Sequence, residues 1–155
     1  MKGRLIMKFE KVGQIALVVK DVEKAAEYLT KEFGIGPFTI VNFDQGKAEY
    51  KGQEVGYKSK VGLGSLGGVA LELIQMIEGD IILSDPEYLP PRGQGVHHIG
   101  FFTDDAETLA AEWEKEGGKV LQRSWPLPGA LTIYLDTPEY AGMLVELIQL
   151  GGAKK

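Results

Sequence analysis

Two short apolar runs in this chain are nearly identical, and each contains a single acid. They are LELIQM at 71–76 and VELIQL at 145–150. Runs of this length and composition are typical of buried strands. A carboxylate in a buried strand is unfavourable unless a partner compensates its charge. Glu72 and Glu146 therefore predict two equivalent strands that share one function.

The residues before the first run predict one strand, one helix and two further strands. The segment KVGQIALVV at 11–19 is a strand with alternating faces, on which Gln14 is an isolated polar residue. Asp21 is a favourable helix N-cap. Apolar residues follow it at helical spacing as far as Gly34, which ends the helix. The remaining predicted segments are strands at 35–43 and 55–63 and a polar loop at 44–53.

The second half repeats this order after a break. Residues 77–95 contain three prolines and three glycines, which predicts a linker with a short apolar patch at 81–83. The segment VHHIGFF at 96–102 is the next strand, and a helix capped by Asp105 follows it. The remaining predicted segments are strands at 119–125, 131–136 and 143–150.

The two halves agree in register as well as in order. The aspartate that starts each helix and the glycine that ends it stand at the same distances from Gln14 in the first half and from His98 in the second. Gln14 and His98 therefore hold equivalent positions on the first strands, just as the two acids do on the fourth strands. The matching cap and stop residues are Asp21 with Asp105 and Gly34 with Gly118.

The repeat predicts an α+β fold built from two tandem βαβββ modules. The first module comprises residues 11–76 and the second 96–150, with the linker at 77–95 joining them into one domain. We expect the two sheets to pair as one curved mixed sheet, a half-barrel around an open cleft.

The first and fourth strands of each module would face that cleft and bring four polar side chains together. Two carboxylates, one imidazole and one amide oxygen form a mostly oxygen donor set that suits Zn, Ni, Co, Mn or Mg and leaves coordination positions open. Taken singly, each residue also has an ordinary structural interpretation, such as a core histidine or an acid paired with a base. Neighbouring strand residues point to opposite faces, so His97 is assigned to packing or to support of the site. The four candidate ligands are Gln14, Glu72, His98 and Glu146.

Composition narrows the classes of function. The net charge of -5 argues against nucleic-acid binding, which usually requires a basic face. The absence of cysteine excludes a disulfide framework, a thiolate nucleophile and a cysteine-ligated zinc. The N-terminal residues 1–9 have too few consecutive apolar residues for a signal peptide, and no run approaches the ~20 apolar residues of a membrane span. We expect a cytoplasmic protein without nucleic-acid or membrane partners.

Three features together resemble the vicinal oxygen chelate superfamily. They are the paired strand–helix–three-strand units, the HHIGF strand at 97–101 with its following Asp-Asp turn, and the two ELIQ strands. That superfamily includes glyoxalase I, methylmalonyl-CoA epimerase, extradiol dioxygenases and the bleomycin- and fosfomycin-resistance proteins. The resemblance covers about residues 11–150 and implies a small-molecule substrate and a homodimer.

The candidate ligands are similar to those of zinc-dependent glyoxalase I, which are Gln, Glu, His and Glu in chain order. This match implies a Zn, Ni, Co or Mn ion and a metal-binding glutamate that transfers the proton, with Glu146 as first choice and Glu72 as second. The chain also resembles methylmalonyl-CoA epimerase in GVHHIGF at 95–101, although that enzyme usually has His in place of Gln14 and Gln in place of Glu72. An extradiol dioxygenase needs two histidines and a carboxylate on iron, which the adjacent histidines here do not supply.

The substrate-binding residues of glyoxalase I are matched only in part. Its glutathione-binding arginine and asparagine correspond to Val18 and Met76, and Arg92 lies two residues from the expected position in a Pro-Arg-Gly segment. The other candidates for substrate binding are Lys60, whose charge suits an anionic tail, and Tyr134, which suits a wall of the cleft. The ordinary interpretation of Lys60 is a solvated charge at the edge of a strand, and that of Tyr134 is an aromatic residue of the core.

The expected function is metal-assisted proton transfer next to a carbonyl group. The chain would then be a lyase, isomerase or epimerase acting on a small 2-oxo or acyl-thioester compound. The alternative is a drug-sequestering protein of the bleomycin-resistance type, which binds in the same cleft without catalysis. Four polar side chains in equivalent positions favour the enzyme.

Overall fold

The computed structural model describes residues 7–153. Most of the N-terminal segment 1–9, which the sequence analysis compared with a signal peptide, therefore lies outside the described part. The strands are β1 Gln14–Val18, β2 Thr39–Tyr50, β3 Gln53–Leu66, β4 Val69–Glu78, β5 Gly95–Phe102, β6 Val120–Trp125, β7 Leu131–Leu135 and β8 Leu144–Gln149. The helices are α1 Val22–Phe33, α2 Ala106–Lys115 and the short α3 Pro138–Ala141. Within this described part, no helix is both long and apolar enough to cross a membrane.

The strands between residues 7 and 153 form one closed barrel in the order β1-β4-β3-β2-β6-β7-β8-β5. β1 pairs with β4 and β5 with β8 in parallel, whereas the other neighbours are antiparallel, so the predicted mixed sheet of an α+β fold is confirmed. The predicted half-barrel with an open cleft is wrong. The two halves are joined along both sides, β1 to β5 and β2 to β6, which pairs the backbone groups that free sheet edges would expose.

The strand register has the symmetry expected of a repeat. Between residues 14–16 of β1 and 98–100 of β5, the antiparallel ladder is unchanged when each residue is exchanged for its equivalent in the other half. The parallel ladders on either side of it then place the two acids in equivalent positions. The residue pairs are Gln14 with Gly100, Ala16 with His98, Ala16 with Glu72 and Gly100 with Glu146.

Both predicted helix starts are confirmed. The Asp21 carboxylate accepts a hydrogen bond from the backbone N–H of Lys24, and the Asp105 carboxylate accepts one from Thr108, each at 3.0 Å. Gly34 ends α1 with a φ of 68°, the left-handed conformation for which glycine is favoured.

The glutamine of each ELIQ run binds the helix of its own half. The Gln75 Oε1 accepts a hydrogen bond from the backbone N–H of Val22 at 2.9 Å, and the Gln149 Oε1 accepts one from Ala106 at 3.0 Å. These N–H groups belong to the first turns of α1 and α2, where no partner exists within the helix. The repeated sequence therefore carries an acid for the barrel interior and an amide that fixes the helix outside it.

The predicted loop at 44–53 is wrong. β2 continues to Tyr50, and the turn consists of Lys51 and Gly52, whose φ angles are 50° and 75°. Ala48 and Tyr50 are buried, whereas the charged residues between and beside them are exposed. The polar residues that suggested a loop form the outer face of a strand with alternating burial.

The linker at 77–95 carries part of the core. Residues 81–83 (Ile-Ile-Leu) are buried and pack in one cluster with the inward-facing Ala16 and Tyr134. The predicted apolar patch is therefore a plug inside the barrel. The bounds of the two modules and of the linker remain a prediction.

A second core cluster lies on the outside of the sheet. Ala106 and Ala110 of α2 pack there with Ile133 and Leu147, which are fully buried. Because α2 covers the outer face of β7 and β8, the inner face of the same strands is left for the cavity described below.

One carboxylate fastens the linker to the turn between β2 and β3. The Tyr50 hydroxyl donates a hydrogen bond to Asp85 Oδ2 at 2.5 Å, and the Lys51 Nζ lies 2.8 Å from the same oxygen. The Lys51 and Tyr50 side chains together lower the pKa of Asp85 from 3.8 to about 2. The ionised carboxylate is therefore favoured in the folded state.

We predict that Asp85→Asn lowers the free energy of unfolding by about 1 kcal/mol at neutral pH, a value discounted for solvent screening. Because the folded pKa is the lower one, the stabilisation is complete above 3.8 and is lost as the pH falls toward 2. Urea denaturation at a series of pH values measures this difference. Asp80→Asn, an exposed position in the same linker, is the matched control, and an equal effect of both variants at neutral pH would contradict the prediction.

Candidate functional site

A cavity of about 260 Å³ lies inside the barrel. Gln14, Glu72 and Glu146 line it. Leu63, Leu127 and Leu150 are also part of its lining and are 40%, 54% and 73% exposed. These three leucines mark where the cavity reaches the surface, so its mouth is apolar and its interior carries two acids.

Glu146 lies between two of the other candidate ligands. The His98 Nε2 is 2.9 Å from Glu146 Oε2, and the Gln14 Nε2 donates a hydrogen bond to the same oxygen at 3.3 Å. Glu72 lines the same cavity without joining this group. Among residues 7–153, no three His, Cys, Asp or Glu side chains stand close enough together to bind one ion.

Gly100 permits the close approach of Gln14 and Glu146. A Cβ on Gly100 would lie 3.2 Å from Gln14 Cβ, 3.2 Å from Glu146 Oε2 and 2.6 Å from Ile148 Cδ1. A side chain at position 100 would therefore clash with Ile148 and crowd both Gln14 and Glu146. The sequence analysis did not identify Gly100, although its position two residues after His98 on the same strand face was a usable signal.

The His98 imidazole is fully buried, and its Nε2 has no hydrogen-bond partner among the residues that the structure describes. Glu146 Oε2 lies 2.9 Å from Nε2, but this contact does not have the geometry of a hydrogen bond. Buried nitrogen atoms are normally hydrogen-bonded, so an orphaned Nε2 beside Glu146, a residue of the cavity wall, favours a further group bound there.

The two carboxylates influence each other through the cavity. Burial and the nearby Glu146 charge raise the pKa of Glu72 from 4.5 to about 7, and His98 lowers it in part. Burial opposes a proton on His98, but the charge of Glu146, its close contact with the imidazole and the charge of Glu72 together outweigh burial and raise the His98 pKa. Like charges that share a low-dielectric site resist joint ionisation, and a cation between them would remove that cost.

The prediction that His97 and His98 point to opposite faces is wrong. The pairing of β5 with β1 shifts here, since Ala16 lies opposite His98 and Leu17 lies opposite Val96. His97 is the extra residue of this bulge, and side-chain alternation fails at a bulge. The Nδ1 atoms of His97 and His98 are 2.9 Å apart, so the two rings are in direct contact.

A second polar network borders the cavity and was missed by the sequence analysis. The Gln122 Oε1 accepts a hydrogen bond from the backbone N–H of Ile82 at 2.8 Å, and its Nε2 donates one to Ser124 Oγ at 2.6 Å. Tyr57 and Ser124 both line the cavity. Burial, followed by the charges of Glu146 and Glu72, raises the pKa of the Tyr57 hydroxyl, which therefore stays protonated.

The three candidates for substrate binding lie in different places. Tyr134 is buried, lines the cavity and contacts the edge of the His98 ring at a centroid distance of 5.0 Å. Lys60 Nζ lies 2.7 Å from Glu23 Oε1, on the helix outside the barrel, and Arg92 is exposed in the linker. No lysine or arginine in the described part of the chain lines the cavity.

The candidate residues supply the types of donor atom that bind divalent cations. An amide, two carboxylates and an imidazole with an orphaned nitrogen form a mostly oxygen set that suits first-row dications. The structure brings Gln14, His98 and Glu146 together and leaves Glu72 facing the same space.

We predict that Glu72→Gln stabilises the metal-free protein as the pH rises. Because the folded pKa of Glu72 is raised to about 7, ionisation destabilises the fold progressively from 4.5 upward, and the glutamine variant avoids this loss. The difference in free energy of unfolding should grow by roughly 2 kcal/mol between about pH 5 and pH 8. Urea denaturation with a chelator present measures it, and Glu78→Gln at the exposed end of the same strand is the matched control. A pH-independent difference would contradict the prediction.

Three solved structures illustrate the fold similarity. A hypothetical protein, BH1468 from Bacillus halodurans C-125, has a TM-score of 0.60 at 18% identity, covering 94% of this chain and 97% of that one. Methylmalonyl-CoA epimerase from Mycobacterium tuberculosis has a TM-score of 0.58 at 15% identity, with 93% and 90% covered. A variant of Streptomyces coelicolor methylmalonyl-CoA epimerase in complex with 2-nitronate-propionyl-CoA has a TM-score of 0.59 at 24% identity, with 94% and 100% covered. At these identities the likeness concerns the fold alone.

A search of curated protein sequences found no match. A family profile does match the chain, over residues 13–134. This range includes β1 to β6 and most of β7, together with three of the four candidate ligands. The chain therefore belongs to the Glyoxalase/Bleomycin resistance protein/Dioxygenase superfamily.

Proposed function

We propose that the protein is a metal-dependent enzyme that transfers a proton next to a carbonyl group. It would act as a lyase, isomerase or epimerase on a small 2-oxo or acyl-thioester compound. The observation that carries this proposal is the contact of His98 Nε2 and Gln14 with one oxygen of Glu146, in a cavity that contains a second acid, Glu72.

The proposed ligands of the metal ion are Gln14, Glu72, His98 and Glu146, and the proposed ions are Zn, Ni, Co and Mn. When bound, such an ion polarises a carbonyl oxygen and stabilises the negative charge that develops on it. The buried position of the ligands strengthens this effect, since electrostatic interactions are larger where water is excluded.

The two acids are proposed to move the proton. Glu146 is the first choice because it lies at the centre of the ligand group, in contact with Gln14 and His98. Glu72 is the second choice, and its placement in the same cavity lets one acid remove a proton from carbon while the other returns it. A carboxylate within hydrogen-bond reach of the reacting carbon is the usual general base of such reactions.

The cavity limits the size of the reacting part of the substrate. A volume of about 260 Å³ lies below the range for drug-sized ligands, and it equals roughly nine water-sized groups. The three exposed leucines at the mouth favour an apolar portion of the substrate there. A coenzyme A thioester is one candidate because similar structures are methylmalonyl-CoA epimerases, and its coenzyme portion would remain outside the cavity.

We predict exchange of the substrate α-proton with solvent D₂O when Zn, Ni, Co or Mn is added. A panel of thiohemiacetals, 2-oxoacids and acyl-CoA thioesters would be followed by NMR. Glu146→Gln and Glu72→Gln should each reduce the rate by roughly 100-fold or more, since each removes a carboxylate from the cavity.

Glu78→Gln serves as the control because it makes the same substitution on an exposed side chain at the end of β4. Its exchange rate should equal that of the unaltered protein. If no compound in the panel exchanges with any of the four metals, the proposed chemistry is wrong.

The alternative function is sequestration of a small molecule. The apolar mouth favours it, as does the finding that no three ion-binding acids or histidines converge within residues 7–153. Metal analysis of the purified protein separates the two functions, since a protein that neither retains nor acquires a divalent ion favours sequestration. The homodimer and the cytoplasmic location inferred from the sequence remain predictions.

A further inference from the structure

We infer that His97 is a positioning residue that holds the proton of neutral His98 on Nδ1, which leaves the lone pair of Nε2 available beside Glu146, a residue of the cavity wall. The sequence repeat does not predict this contact of His97 with His98, since Gly13 occupies the position equivalent to His97 in the first half.

The bulge in β5 brings the two rings together. The register with β1 skips His97, and the His97 ring therefore lies beside that of His98 instead of across the strand. The ring centroids are 5.1 Å apart with an interplanar angle of 88°. This edge-on arrangement directs the Nδ1 of one ring at the Nδ1 of the other, 2.9 Å away.

The plug inside the barrel determines which nitrogen of His97 carries a proton. The His97 Nε2 lies 3.2 Å from the carbonyl oxygen of Ile82. A carbonyl oxygen only accepts hydrogen bonds, so Nε2 is the protonated nitrogen. His97 is buried without a carboxylate partner at either ring nitrogen, and a charged imidazole there would be costly. A neutral His97 then has a lone pair on Nδ1.

It follows that His98 donates from its own Nδ1. In the neutral form, the one that can bind a metal ion, His98 has a single proton and two neighbouring acceptors, since His97 Nδ1 faces one nitrogen and Glu146 Oε2 faces the other, each at 2.9 Å. A carboxylate is ordinarily the stronger acceptor. Here His98 Nε2 has no hydrogen-bond partner among the described residues, whereas the contact with His97 satisfies the geometry of a hydrogen bond.

The proton on His98 Nδ1 is independent of the proposed function, whereas its effect on metal binding rests on that function. The proton position on His98 is a property of the metal-free protein. The consequence for metal binding depends on the proposed ligand set, in which Nε2 must be free of a proton. Partners of this kind typically change metal affinity by roughly 10–100-fold.

The chain contains only two histidines, which makes the proton positions directly measurable. Untagged, metal-free protein labelled with ¹⁵N-histidine would be studied by long-range ¹H–¹⁵N correlation NMR in alkaline buffer. We expect one ring protonated at Nδ1, from His98, and one protonated at Nε2, from His97. Two rings protonated at Nε2 would overturn the inference, and this measurement requires no substitution.

Two variants then test the role of His97 by keeping one contact each. His97→Asn keeps an acceptor near the position of Nδ1, whereas His97→Gln keeps a donor near the position of Nε2 and loses that acceptor. We expect His97→Asn to retain the Nδ1 proton on His98 and to bind Zn within a few-fold of the unaltered protein. His97→Gln should move the proton to Nε2 and weaken Zn binding by roughly 10–100-fold.

If the role of His97 is purely structural, the two variants should be affected in the opposite order. His97→Asn loses the hydrogen bond to the Ile82 carbonyl, so it would then be the more damaged variant, in Zn affinity as in thermal unfolding. That order would overturn the inference. If the unaltered protein shows the expected protonation but binds no divalent ion, the proposed function fails while the position of the proton stands. If the unaltered protein binds Zn but both rings are protonated at Nε2, the inference about His97 fails while the proposed metal site stands.

Discussion

The burial of two carboxylates in one enclosed cavity is the constraint on which the rest of this structure depends. Glu72 and Glu146 face the same space, and burial together with the charge of Glu146 raises the pKa of Glu72. The fold places compensating groups around Glu146, namely an amide and an imidazole. The chemistry proposed for the protein uses the same unfavourable pair, since a cation that stabilises both acids can also polarise a substrate.

The repeated ELIQ sequence has two structural roles, one for its glutamate and one for its glutamine. Its glutamate points into the barrel, and its glutamine reaches outward to the first turn of the helix of its half. Because these residues are three apart on a strand, they project to opposite faces. Each copy thus links the position of an acid to the position of a helix, which explains why the two copies are so similar.

Much of this arrangement could be predicted from the sequence, because local signals specify it. The caps at Asp21 and Asp105, the stop at Gly34 and the equivalence of the acids all follow from spacing. Features that depend on non-local pairing were missed or predicted wrongly. The closure of the barrel requires the contact of β2 with β6, and the bulge at His97 exists only through the register with β1. Neither leaves a pattern in one sequence.

The plug at 81–83 has no twin in the other half, and this has a consequence for the shape of the chamber. Two equal modules alone would enclose a space with two interchangeable ends. Ile82 binds His97 through its carbonyl and Gln122 through its N–H, and Leu83 forms part of the wall. The connecting segment thus closes part of the chamber that the two modules share, and the enclosed space is different on its two sides although the strands around it repeat.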